Sequence, residues 1–175
     1  MTEQVISLAW RWTAETSSDS AHRFCRIRVT APPGEIGDPD AWSVVGLVQG
    51  TIDGMLKKLA PQPVLHAAAG MGAATLFAGL HAWHSEGLRP AFAAADAHPR
   101  SYFALPEATE LFDAEEAYLV RSGEAGARLL WCDYATKEVR EVAVDFDACL
   151  AGWKAVRDAI RQDGEGSVPP SVDVS

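Results

Sequence analysis

The stretch AYLVRSGEAGARLLWCDYATKEVREVAVDFDACL, residues 117–150, decides the fold class. It contains three runs with the composition of β-strands, at 117–121, 127–134 and 139–144, and short polar turns separate them. We therefore expect a three-stranded antiparallel meander. From Phe146 onward the apolar residues follow helical spacing, which predicts a final helix. Its apolar stripe consists of Leu150, Trp153, Val156, Ala159 and Ile160.

Two strand-like segments precede this region near the N-terminus. Residues 5–12 and 22–30 both alternate between apolar and polar side chains, which is typical of half-buried strands. A polar turn lies between them, so they can pair as an N-terminal β-hairpin. We expect the hairpin and the meander to form a sheet packed against two or three helices, which makes the chain an α+β protein.

Helical patterns occupy the segment between the hairpin and the meander. Apolar residues recur every three or four positions over 42–59, and Asp38 followed by Pro39 provides the signals of a helix start just upstream. A second helix is predicted over 72–85. Residues 87–106 contain three prolines and are predicted to be a long connection with at most one helical turn.

The first of these predicted helices contains glycines at intervals of four residues. Gly46, Gly50 and Gly54 should each cost about 1 kcal/mol of helix stability relative to alanine. We interpret them as a smooth ridge that lets another backbone approach closely; the alternative is that this segment is partly irregular.

Length and composition are those of a single globular domain. The chain has 175 residues, of which 48% are hydrophobic and 22% charged. We assign residues 1–162 to one α+β domain and residues 163–175, which have no core-forming pattern, to a disordered C-terminal tail. The three cysteines are far apart and form no CxxC pair, so we expect reduced thiols. The N-terminus is not that of a signal peptide and no apolar run is long enough to span a membrane, which predicts a cytoplasmic protein.

The distribution of charge points toward a protein partner. A formal net charge of −9 repels phosphate and favours a basic partner, so we expect no nucleic-acid binding. Residues 107–116 hold five acids and no basic residue. Carboxylates flanked by aromatic residues can steer and hold a basic protein, although a solvated loop face is the alternative interpretation. The predicted partner-binding residues are Glu107, Glu110, Phe112, Asp113, Glu115, Glu116 and Tyr118.

Histidines in the second predicted helix raise the alternative of a metal-dependent enzyme. His81 and His84 fall on one helical face, and His66 is a conceivable third ligand. The glutamate of an HExxH motif is absent. We therefore expect no metal and no catalytic residue, with a small metal-dependent enzyme kept as an alternative.

A glycine-rich turn raises the alternative of nucleotide binding. Gly70 and Gly72 follow a strand-like run at 64–69 and resemble the start of a dinucleotide-binding fingerprint. Thr75 stands where that fingerprint has a small residue, so we expect no cofactor. A regulatory or structural homo-oligomer, for example a homodimer, is a further alternative.

Two segments of the sequence resemble a known family. PPGEIGDPDAWSVVGLVQG (residues 32–50) follows the predicted hairpin, and LFDAEEAYLV (111–120) leads through GARLLW (126–131) into the meander. In this order they resemble the small immunity proteins encoded beside bacterial polymorphic toxins, and are most similar to the Immunity protein 42 family. The resemblance implies a cytoplasmic binding protein without catalytic activity, which neutralises one cognate toxin by covering its active site or a surface that it needs. The acidic surface would suit a basic toxin such as a nuclease.

Overall fold

The fold consists of two antiparallel sheets and three α-helices in the computed structural model, which describes residues 2–7, 10–18, 22–31, 34–38, 40–94, 96–107, 109–113, 115–124, 126–132 and 136–162. The first sheet contains β1 (Thr2–Ser7), β2 (Trp10–Ser18), β3 (Arg23–Ala31), β4 (Gly34–Ile36) and β5 (Ser43–Val44). The second contains β6 (Ala117–Arg121), β7 (Gly126–Cys132) and β8 (Val139–Asp145). The helices are α1 (Val45–Leu59), α2 (Ala73–Glu86) and α3 (Phe146–Gln162). The predicted α+β class is confirmed, and the N-terminal hairpin and the C-terminal meander are both present.

The N-terminal sheet is more elaborate than a hairpin. The sequence predicts one strand over 5–12, whereas the structure has β1 and β2, which pair antiparallel; residues 8 and 9 between them lie outside the described residues. β2 and β3 form the predicted hairpin, with Trp12 opposite Val29. β2 continues through polar residues to Ser18 because β3 supplies backbone partners as far as Arg23. The hairpin and the meander lie in two separate sheets, which the sequence did not predict.

The C-terminal sheet is buried on both faces at β6. Residues 117–120 are all buried. Tyr118 meets Phe77 of α2 edge-on, while Leu119 lines a small cavity together with Trp153 of α3 and Val29 of β3. A strand covered on both faces has a continuous apolar run instead of an alternating one, as AYLV does. The strand predicted over 127–134 ends at residues 133–134, which lie outside the described residues. The predicted tail, residues 163–175, lies outside them as well.

The outer edge of β6 is covered by the long connection that follows α2. After a 3-10 turn at Pro99–Ser101, the chain runs along β6: Tyr102 O accepts a hydrogen bond from Leu119 N at 2.8 Å, and Ala104 N donates to Ala117 O at 2.9 Å. In the described residues of 87–106, the 3-10 turn is the one helical turn, as the sequence predicts. Covering an edge strand in this way removes a row of backbone groups that would otherwise be exposed.

Gln62 completes the cover of this edge. Its side chain is buried, with 2% of the residue exposed. Nε2 donates to Leu119 O at 2.8 Å and to Ser101 O at 2.6 Å, and Oε1 accepts from Arg121 N at 2.6 Å. One side chain thus joins the end of α1, the connection and β6.

α1 begins later than the sequence predicts. The signal at Asp38 forms a turn instead, in which Asp38 Oδ1 accepts a hydrogen bond from Asp40 N at 2.8 Å, and Pro39 lies outside the described residues. Ser43 and Val44 are extended because they pair with β3, so the helix starts only at Val45 and its N-cap residue makes no side-chain hydrogen bond. The predicted buried stripe is confirmed. It consists of Val45, Val48, Ile52, Met55, Leu56 and Leu59.

The expected glycine ridge on α1 does not contact another backbone. A Cβ atom added at Gly46, Gly50 or Gly54 would meet nothing within 4 Å. The three glycines lie on the side of the helix opposite the buried stripe, next to Leu47, which is 46% exposed. The interpretation as an internal packing ridge is therefore wrong.

The other two helices form where the sequence predicts them. The strand-like run between α1 and α2 does not form a strand. α2 covers Ala73–Glu86 against a predicted 72–85, and α3 starts at Phe146 as expected. Residues 64–69 form no strand, and His66–Gly70 is a 3-10 turn. Within the described ranges, no helix has both the length and the apolar character that a bilayer-crossing segment needs.

Candidate functional site

An open pocket of about 220 Å³ lies between the acidic segment (residues 107–116), the end of α2 and residues 103–106 of the connection. Four of the five predicted carboxylates line it. They are Glu107, Asp113, Glu115 and Glu116. The remaining wall consists of His84, Phe103, Leu105, Pro106, Thr109 and Phe112. We call this feature the acidic pocket.

The turn after β4 holds the acidic segment in place. Asp38 N donates a hydrogen bond to Leu111 O at 2.9 Å. Gly37 has φ of +93°, and a Cβ atom there would come within 2.7 Å of the Phe112 ring and 2.8 Å of Leu111 O. Phe112 is buried, and its ring meets that of Trp153 on α3 edge-on at 6.1 Å between centroids. Phe112, a residue of the pocket wall, therefore packs into the hydrophobic core that the two sheets share.

Basic side chains from three separate elements face Glu107. Its carboxylate lies 3.5 Å from Lys58 Nζ of α1, 3.6 Å from Arg100 Nε of the 3-10 turn and 3.3 Å from His84 Nε2 of α2. The Glu107 side chain is only 31% exposed. The charge of this carboxylate is therefore largely offset within the molecule.

Glu116 is bound by a histidine and a buried tyrosine. His81 Nδ1 lies 2.6 Å from Glu116 Oε2, and the Tyr118 hydroxyl donates to the same oxygen at 3.1 Å. Burial raises the pKa of Tyr118 well above its usual range, and the adjacent Glu116 charge raises it further. The phenol therefore stays protonated and serves as a fixed hydrogen-bond donor to the carboxylate.

Aromatic rings fix both histidines. The His84 ring stacks on Phe103 at 4.8 Å between centroids, and the His81 ring stacks on Phe77 at 6.2 Å. Tyr118 meets Phe77 and Phe103 edge-on at 5.2 and 5.8 Å. The face of α2 that borders the acidic pocket is thus packed as a unit, so its polar groups are held in defined positions.

The predicted partner-binding residues differ in exposure. Glu110 and Asp113 are exposed, and no ion pair found among the described residues involves either of them. Glu107, Glu115 and Glu116 are half-buried. Phe112 and Tyr118 are buried, so they lie beneath the carboxylates and support them. A molecule approaching this surface would meet the carboxylates first.

Sequence reasoning did not find the basic partners of the acidic segment. His81 is 35 residues from Glu116, and His84 is 23 residues from Glu107. The segment itself contains no base, and the sequence alone did not indicate which distant element would supply one. The two histidines were recognisable only as a pair on one helical face.

The described residues do not have the arrangement that the metal-site alternative requires. Within the parts of the chain that the structure describes, no three His, Cys, Asp or Glu side chains come together closely enough to hold a metal ion. His66 is exposed on the 3-10 turn before α2, and His81 and His84 are bonded to different glutamates.

The nucleotide-site alternative lacks the strand that its fingerprint requires. Gly70 ends a 3-10 turn and Gly72 caps α2, so no strand of the described chain leads into this glycine turn. Every strand pair that the structure describes is antiparallel, whereas the fingerprint belongs to parallel βαβ units.

Two of the cysteines are also poor candidates for catalysis. Cys25 and Cys149 are buried free thiols, and burial raises the pKa of each to about 12. A thiol is a nucleophile only as the thiolate. Neither residue is therefore activated at neutral pH.

Comparison with known protein families, with characterised proteins and with solved structures finds no match to this chain. Evidence for a function must therefore come from the acidic pocket itself. The similarity to immunity proteins, inferred from the sequence, stays a prediction.

Proposed function

We propose that this protein is an immunity-type binding protein, which neutralises a basic bacterial toxin by covering it and catalyses no reaction. One observation carries the proposal: four carboxylates line a single open pocket in a protein of net charge −9. The resemblance of residues 32–50 and 111–131 to immunity proteins supports the same function. The buried free thiols Cys25 and Cys149 suit the reducing cytoplasm, where we place the protein.

The distribution of charge around the pocket favours a cationic partner. The charge of Glu107 is offset by Lys58 and Arg100. Glu110 and Asp113 are exposed, so their charges act on an approaching molecule. Exposed charges of one sign accelerate the encounter with a partner of opposite sign. A nuclease presents basic residues where it binds phosphate, so a protein docked on those residues would exclude the nucleic acid.

The packing beneath the pocket suits tight binding. Phe103, Phe112 and Tyr118 are buried, and stacked rings and hydrogen bonds hold His81 and His84. Side chains that are ordered before binding lose less conformational entropy when the complex forms. The pocket can therefore act as a rigid surface against which a partner docks.

The test uses the product of the reading frame beside this gene, co-expressed and purified with the protein. A double variant, Glu110→Lys with Asp113→Lys, changes two exposed acids of the acidic segment. We expect association to slow by about tenfold or more at low ionic strength, since steering depends on these charges. Growth protection of cells that express the toxin should weaken in parallel.

The matched control is the double variant Glu35→Lys with Glu124→Lys. Both residues are exposed and outside the acidic pocket, and the change in net charge is the same. We expect a several-fold smaller effect on association. Equal slowing by the two double variants would contradict the assignment to this pocket, and absence of any complex with the neighbouring product would contradict the proposed function.

A further inference from the structure

We propose that His81 and His84 make the acidic pocket a pH-dependent binding surface, which holds a basic partner at neutral pH and releases it on acidification. This inference rests on the proposed function, because it concerns the regulation of the same site. It follows from the way the two histidines are placed against carboxylates of the pocket.

His81 is arranged to accept a proton next to Glu116. A carboxylate only accepts hydrogen bonds, so the Nδ1 atom 2.6 Å from Glu116 Oε2 carries a hydrogen, and Nε2 is the nitrogen at which a further proton would bind. The His81 side chain is 46% exposed, so water can reach the ring. Protonation would place a full positive charge beside Glu116. The other polar group facing this pair is the Tyr118 hydroxyl, which stays neutral.

His84 has the same arrangement with Glu107. Its Nε2 lies 3.3 Å from Glu107 Oε1, and its ring forms part of the pocket wall. Lys58 and Arg100 already face Glu107 from α1 and from the 3-10 turn. A proton on His84 would therefore add a third cation around one carboxylate and make this corner of the pocket, where two cations already face one carboxylate, more positive.

The remaining charged groups do not compensate for this change. Histidine is the side chain whose charge ordinarily changes between about pH 8 and about pH 5, whereas carboxylates, lysine and arginine ordinarily keep theirs. The two positive charges would appear at Glu116 and Glu107, which line the same pocket as Asp113 and Glu115. The attraction of the pocket for a cation must fall.

The experiment measures binding of an oligolysine peptide to the full chain at about pH 8 and about pH 5.5, at low ionic strength. Such a peptide contains no histidine and keeps its own charge over this range. The positive charges added on His81 and His84 would lie a few ångströms beyond contact distance from the bound peptide. They should weaken its binding by about fivefold at the lower pH. In the His81→Gln and His84→Gln double variant, the affinities at the two pH values should agree within about twofold. His66→Gln is the control, because His66 is exposed and outside the pocket.

The outcomes separate the inference from the proposed function. If the peptide binds the wild type equally at both pH values, or if the double variant keeps the fivefold difference, the pH-dependent role is wrong and the acidic pocket remains a candidate interface. If the peptide binds at neither pH value, both the inference and the electrostatic basis of the proposed function fail. Thermal unfolding of each variant at both pH values checks that the fold is intact.

Discussion

Gly37 lies directly against the ring of Phe112, so closely that a Cβ atom at position 37 would come within 2.7 Å of two ring carbons. The hydrogen bond from Asp38 N to Leu111 O lies beside this contact. The turn after β4 and the acidic segment are thereby locked together. These are also the two parts of the sequence that resemble immunity proteins, and the fold brings them into contact.

Gly37→Ala should destabilise the protein by about 1–3 kcal/mol, because the residue has positive φ and its neighbour is a buried ring. Urea unfolding measures the change. Since Phe112 forms part of the pocket wall, binding of a basic partner should weaken as well. A loss of stability below about 0.5 kcal/mol would contradict the close packing at this position.

Gly50→Ala should instead stabilise the protein, raising its free energy of unfolding by about 0.5–1 kcal/mol. A Cβ atom there meets nothing within 4 Å, so only the helix propensity changes. Urea unfolding at two protein concentrations gives the result. A loss of stability that depends on protein concentration would show that a second copy packs on this face of α1, and would favour the homodimer alternative.

Gln62→Leu should lower the free energy of unfolding by about 2–3 kcal/mol, although leucine has nearly the same volume as glutamine. The substitution leaves Leu119 O, Ser101 O and Arg121 N without their side-chain partner. Gln49→Leu is the matched control, because Gln49 is half-buried and, among the described residues, its side chain makes one hydrogen bond, of 3.5 Å from Nε2 to Arg157 O. Equal losses in the two variants would contradict the role of Gln62 at the edge of β6.

Alkaline pH should destabilise the protein through its buried thiols. Burial raises the pKa of Cys25 and Cys149 to about 12 from an ordinary value of 9.0. A thiol with a higher pKa in the folded state contributes stability below its unfolded pKa and loses that contribution as the pH rises towards its folded pKa. The free energy of unfolding should therefore fall between about pH 9 and about pH 12. Cys25→Ala with Cys149→Ala should flatten this decline, as measured by urea unfolding across the range; an unchanged slope would contradict it.

Local signals account for the parts of the fold that the sequence predicted. The meander and α3 are specified by short runs and turns, and both formed as expected. The start of α1 was misplaced because Asp38 and Pro39 provide a local helix signal, whereas pairing of Ser43 and Val44 with β3 is a tertiary effect that overrides it.

The acidic pocket was predictable only in part. The run of carboxylates is visible in the sequence, and four of them do line one pocket. The bases that offset Glu107 come from α1, α2 and a 3-10 turn, so their approach depends on the packing of distant segments. The same holds for the burial of Phe112 and Tyr118, which the sequence suggested as partner contacts without indicating how exposed they are.

The most direct test of the central claim is hydrogen–deuterium exchange of the protein with and without the product of the neighbouring reading frame. Backbone amides of residues 103–116 and of the α2 segment around His81 and His84 should exchange more slowly in the complex. The exposed face of α1 around Leu47 should be unaffected. Protection confined to α1 or to the N-terminal sheet, with unchanged exchange around the acidic pocket, would contradict the account.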